Sequence, residues 1–143
     1  AFQDPGIVEG HALAHTLGSM FHVPHGVGCA MALPYAMIYN MGHCMEKMAR
    51  MATALGQNTT GMSTRDAAQA AIEAVVQLMA DINLPTTWQS FGKKEDIPEM
   101  LEMMTECPWI TAFYGWAKRP MTKEAAAELL RRSYEGDVEV KLY

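Results

Sequence analysis

The sequence predicts an all-α fold, a multi-helix bundle forming a single domain over 1–143. Three observations predict it. Apolar residues recur at helical spacing along most of the chain, and capping residues stand where those stripes begin and end. Only Val138–Leu142 alternates as a strand would. A chain of 143 residues buries about two thirds of its unfolded surface, so it needs no disulfide or metal merely to fold.

The elements follow in order. Gly10–Phe21 reads as a first helix, ended by Val23-Pro24, and Gly26–Asn40 as a second, with a kink expected at Pro34. That second helix is apolar nearly all round, so it is expected to be central and buried. Met45, Met48, Ala52 and Leu55 mark a third, with Gly56 where a C-terminal cap belongs. Ser63-Thr64-Arg65-Asp66 resembles a capping box opening a long helix. Its stripe is Ala68, Ile72, Val75, Met79 and Ile82, and Asn83-Leu84-Pro85 ends it. Asp96 can cap a helix with Pro98 in its first turn and Ile97, Leu101 and Met104 on one face. Thr122 caps the last helix, through Ala126, Leu129 and Leu130, with Arg131 and Arg132 near its end and Gly136 closing it. Val138–Leu142 reads as a tail.

Composition excludes several classes. Half of the residues are hydrophobic and 19% are charged, which rules out intrinsic disorder. A net charge of −5 with 11 Lys+Arg gives no basic face for a nucleic acid. Three cysteines, an odd number without a Cys-x-x-Cys pair, predict reduced thiols and a cytoplasmic location. Ala1 to Gly6 has neither the basic nor the apolar region of a signal peptide. The chain begins without Met, which suggests a processed start or a piece of something longer.

Charge is unevenly placed. From Gly10 to Met45 there is no Asp, Glu, Lys or Arg, and all five histidines lie there: His11, His15, His22, His25 and His43. As a membrane span this stretch fails, because histidines, glycines, Pro24 and Pro34 interrupt every apolar run. It reads instead as a functional interior that admits neutral imidazoles and keeps charges out. On a helix, His11 and His15 lie one turn apart on one face. Gly18 shares that face and would let another backbone, a ligand or a cofactor come close. His25 follows the Pro24 break, at the start of the next helix.

A single histidine is most often a packed core residue, but three on this spacing in a charge-free stretch point to a metal site. A zinc-protease motif would need Glu after the first His, where Ala12 stands. No Gly-x-Ser-x-Gly occurs, which argues against a serine hydrolase. Spacing alone selects His11 and His15 as a chelating pair. Met20, Met31, Met37 and Met41 are expected as core filler. His22 is expected in solvent or a loop, and His43 in a turn near a helix start. Trp109, Phe113, Tyr114 and Trp116 are expected to pack together in a long loop rather than to cover a cleft.

The string His11-x-x-x-His15-x-x-Gly18-x-x-x-x-x-Pro24-His25-Gly26 resembles the second signature of the iron-containing alcohol dehydrogenases. Val27-Gly28-Cys29-Ala30-Met31-Ala32-Leu33-Pro34, Tyr39-Asn40 and Lys94-Glu95-Asp96-Ile97-Pro98 extend the resemblance over essentially the whole chain. Ala117-Lys118-Arg119-Pro120 departs from the Asn-Pro-Arg-like turn usual there. The family implies a two-domain enzyme: an N-terminal α/β domain binding NAD or NADP, and a helical C-terminal domain, of the dehydroquinate synthase-like fold, holding a divalent metal with one Asp and three His. By position in the motif, His11 and His25 match two of the ligand histidines. His15 matches an active-site histidine beside the nicotinamide and substrate, so the resemblance replaces the His11/His15 pair. Neither Cys29 nor Cys44 is expected to ligate.

The ligand Asp and the first ligand His of the family have no matching segment here, and no Gly-rich dinucleotide-binding turn occurs. The chain therefore looks like the C-terminal metal-binding portion of an NAD(P)-dependent alcohol dehydrogenase, inactive in isolation. The implied metal is Fe2+, with Zn2+ as the alternative. The implied partners are a small alcohol or aldehyde, the N-terminal nucleotide-binding domain and a second copy of the chain, with no nucleic acid and no membrane. Two other readings are a non-catalytic helical binding or self-association module, and a zinc-dependent glycerol-dehydrogenase-like or dehydroquinate-synthase-like domain. Pro24-His25-Gly26 favours the iron group over the latter.

Overall fold

The computed structural model describes residues 8–112, 114 and 119–139. Among them are six α-helices and no strand: α1 (Val8–Phe21), α2 (His25–Ala54), α3 (Thr64–Asp81), α4 (Ile97–Glu106), α5 (Pro108–Thr111) and α6 (Lys123–Glu135), with a 3-10 turn at Lys94–Asp96. None of these helices is long and apolar enough to cross a membrane.

The second and third predicted helices are one. α2 keeps helical dihedrals through Pro34, and its break falls at Cys44, where φ is −141° and ψ is 22°. Gly42, of low helix propensity, stands just before the break. The Cys44 thiol donates to the Asn40 carbonyl one turn back, at 3.2 Å. His43, expected in a turn near a helix start, lies exposed inside α2 beside that break.

Helix ends follow the capping residues. Ser63 Oγ accepts the Asp66 N–H at 3.1 Å, and Thr122 Oγ1 accepts that of Ala125 at 3.2 Å. Gly136 takes the left-handed conformation, φ 74°, and its N–H bonds the Arg132 carbonyl. Asp96 differs. Its carboxylate accepts the Lys93 N–H at 2.7 Å and so closes the 3-10 turn, not α4. The α3 stripe also ends early: Ala68, Ile72, Val75 and Met79 are buried, whereas Ile82, past the last turn, is 57% exposed.

Two apolar clusters hold the helices. The first joins α1, the start of α2, α4, α5 and α6 around Trp88. The second joins the rest of α2 to α3, and Met37, Met41, Met48 and Met79 fill it as adaptable packing. Trp88 is fully buried, and its indole N–H donates to Ser133 Oγ at 3.0 Å. Phe21 stacks on it at 6.0 Å. Val138 and Glu139 form no strand; their carbonyls accept from Gln69 and Arg132. Val140 to Leu142 lie outside the described residues.

Candidate metal centre

The site is built where α1 meets the start of α2. α1 needs no separate stop signal beyond the chain turn at His22, which adopts φ 56° and whose N–H reaches the Gly18 carbonyl at 3.1 Å. His22 itself is exposed. Val23 is buried, and Pro24 sits as the N-cap of α2, so His25 becomes its first residue. The two helices then close on each other at Gly28: a Cβ there would stand 3.2 Å from Ala14 Cα and 3.3 Å from its carbonyl oxygen. Gly18 does not provide the close approach expected of it. A Cβ at that position would meet only the Val23 carbonyl oxygen, at an ordinary 3.5 Å.

This approach brings three imidazoles together. Ring centroids lie 5.3 Å apart for His11 and His25, 5.0 Å for His15 and His25, and 6.2 Å for His11 and His15. His11 and His15 are half-buried and His25 is exposed. Burial, then the charges of His25 and His11, hold the His15 pKa below its usual 6.5. Trp109 of α5 stands edge-on to His15, ring centroids 5.2 Å apart at 89°, and is itself 50% exposed. It thus covers an imidazole instead of packing in a loop. Tyr114 is half-buried, while Phe113 and Trp116 lie outside the described residues.

Cys29, for which the sequence predicts no ligand role, stands beside these rings. The ligand atoms of His11, His25 and Cys29 all lie within 4.8 Å of one another, a group that does not include His15. Cys29 Sγ is 3.4 Å from His25 Nε2, and burial pushes its thiol pKa up. The available signal was the four-residue step from His25 to Cys29, which puts both on one face of α2. Two imidazoles and a thiol are donors that borderline divalent metals accept, so these residues suit iron or zinc.

A second layer steadies α2 behind the site. Asn40 Nδ2 donates to the Glu9 carboxylate at 3.1 Å and to the Ala36 carbonyl at 3.0 Å. Glu9 is fully buried. Arg119 lies 4.2 Å above the Tyr39 ring and donates to the Tyr39 carbonyl at 2.7 Å. Tyr39 in turn donates its hydroxyl to the Pro120 carbonyl at 2.7 Å. The segment that departs from the Asn-Pro-Arg-like turn therefore clamps α2 through Arg119 and Pro120; Ala117 and Lys118 lie outside the described residues.

Comparison with known proteins gives a consistent picture. Residues 1–134 match the family model described as "Fe-containing alcohol dehydrogenase family, C-terminal". The chain is 44% identical over 104 residues to 1,3-propanediol dehydrogenase of Citrobacter freundii, covering 72% of this chain and 27% of that one. It is 38% identical over 102 residues to lactaldehyde reductase of Escherichia coli (strain K12), covering 71% and 27%. Among solved structures, a 1,3-propanediol oxidoreductase superposes with a TM-score of 0.75 at 35% identity, covering 88% of this chain and 32% of that one. An alcohol dehydrogenase from Oenococcus oeni gives 0.74 at 40% identity, covering 87% and 32%. The chain spans about a quarter of the length of these curated relatives.

Proposed function

The chain belongs to the Fe-containing alcohol dehydrogenase family, as its C-terminal part, and from that premise we propose that it forms the metal-holding helical portion of an NAD(P)-dependent enzyme interconverting an alcohol and an aldehyde or ketone. The observation that carries this reading is the convergence of His11, His15 and His25 from two helices onto one spot. His11 and His25 are the metal-holding residues, and His15 works on the substrate.

A divalent metal bound there supplies Lewis acidity toward the alcohol oxygen. The chain's own residues do the rest. His15, its pKa held below the usual imidazole value by burial and then by His25 and His11, can take up a proton and pass it on. Trp109 shields one edge of that ring from water. Asn40 ties α2 to α1 through Glu9, and Arg119 ties α2 to the segment before α6. Nicotinamide binding is assigned to the portion of the relatives' length that this chain does not span.

The test is the metal content of the purified chain, by plasma mass spectrometry, with His11→Ala and His25→Ala variants alongside. Stoichiometric iron or zinc in the wild type, lost in each variant, is the expected result. Metal retained at wild-type levels in both variants overturns the ligand assignment.

A further inference from the structure

Resting on that metal reading and extending it, we propose that Cys29 is a third protein ligand, so that the chain carries a two-imidazole, one-thiolate site for a zinc-class divalent cation with a fourth position open. The family pattern assigns no thiolate here; the geometry does. The ligand atoms of His11, His25 and Cys29 already lie within 4.8 Å of one another. A tetrahedral ion with nitrogen at ~2.0 Å and sulfur at ~2.3 Å has a nitrogen–sulfur edge of about 3.5 Å. The Cys29 Sγ to His25 Nε2 separation is 3.4 Å. One side of the donor triangle, His25 to Cys29, comes from one helical turn of α2, and the two sides that run to His11 are set by the contact of Gly28 with Ala14.

The other two thiols have different settings. Cys44 donates to the Asn40 carbonyl at the α2 break, and Cys107 ends α4. No disulfide occurs among the described residues. On ligation the Cys29 thiol releases its proton to solvent, and the S–H bond is replaced by a sulfur–metal bond with no change of oxidation state. The same 3.4 Å would also suit a plain S–H hydrogen bond to the imidazole, and the experiment separates the two.

Cobalt(II) serves as the probe, titrated into the chain without oxygen and followed by absorption. The expected wild-type spectrum combines the d–d bands of a four-coordinate ion with a near-ultraviolet thiolate-to-cobalt charge-transfer band. Cys29→Ser is expected to lose the charge-transfer band and keep d–d absorption, while Cys44→Ser with Cys107→Ser keeps both. X-ray absorption of the zinc-loaded wild type needs no variant and is expected to show one sulfur among the ligands. Cobalt uptake without the charge-transfer band, a band surviving in Cys29→Ser, or a zinc shell without sulfur overturns the thiolate and leaves the histidines standing. A wild type that takes up no cobalt overturns both readings.

Discussion

Gly28 decides how near α2 can come to α1, and hence whether His25 and Cys29 reach His11. Its missing Cβ would press on Ala14 Cα, Cβ and carbonyl oxygen at 3.2 to 3.3 Å, and backbone atoms cannot swing aside. Helix propensity favours alanine over glycine by about 1 kcal/mol, whereas overpacking of this kind costs roughly 1–3 kcal/mol. Sterics therefore win. Gly28→Ala is expected to lower stability by up to ~2 kcal/mol in urea unfolding. Gly42→Ala, in the same helix with nothing within 4 Å, is expected to gain about 0.5–1 kcal/mol. A Gly28→Ala protein as stabilised as Gly42→Ala would remove this contact from the account of the site. The three histidines were legible in the sequence because their spacing on α1 and after Pro24 is local. Cys29 was not, because its nearness to His11 depends on the interhelical contact at Gly28. A cysteine among apolar residues otherwise reads as packing.

At the scale of the element, α6 shows how a helix end is fixed by charge. Glu128 accepts from Arg131 Nε and Nη2 at 2.8 Å each and from Arg132 Nε at 2.7 Å. Arg131 also pairs with Glu135, which Lys94 reaches at 2.8 Å. The hydrogen bond from Arg131, followed by that from Arg132 against some desolvation, lowers the Glu128 pKa from 4.5 to about 2. Such a carboxyl binds fewer protons folded than unfolded. Its stabilisation is thus fully present above pH 4.5 and is lost as pH falls toward 2. The Glu128 side chain is 40% exposed, so screening leaves on the order of 0.2–1 kcal/mol per pair. Glu128→Gln is expected to lower the urea midpoint at pH 7 and leave it nearly unchanged at pH 2; equal losses at both would indicate packing instead of charge. The elements themselves were legible wherever a cap is local, as at Ser63 and Thr122. The unbroken passage through Pro34 was not, because packing on both flanks overrides a single lost N–H. Nor was the early end of the α3 stripe at Ile82, where the chain turns away through Asn83 at φ 57°.

At the scale of the whole molecule, α2 belongs to both apolar clusters, and the histidine site lies at its first turn, at the edge of the first cluster. His25 is exposed there and Trp109 half so. Water therefore reaches the site and weakens every charge interaction a transition state would use. Hydride transfer also requires a nicotinamide held against the substrate carbon, and positioning two reactants accounts for roughly 7–11 kcal/mol of a barrier. The sequence has no Gly-rich dinucleotide turn to do that. Ion binding by the proposed histidine ligands would not need that turn, so metal loading and turnover separate. The purified 143-residue chain, loaded with iron or zinc, is accordingly expected to show no NAD(P)H-coupled turnover of alcohols or aldehydes. Far-ultraviolet circular dichroism with the helical signal intact distinguishes this from misfolding. Turnover by the chain alone would mean that these helices also bind the nucleotide, and the division of labour between the histidine site and the rest of such an enzyme would have to be redrawn.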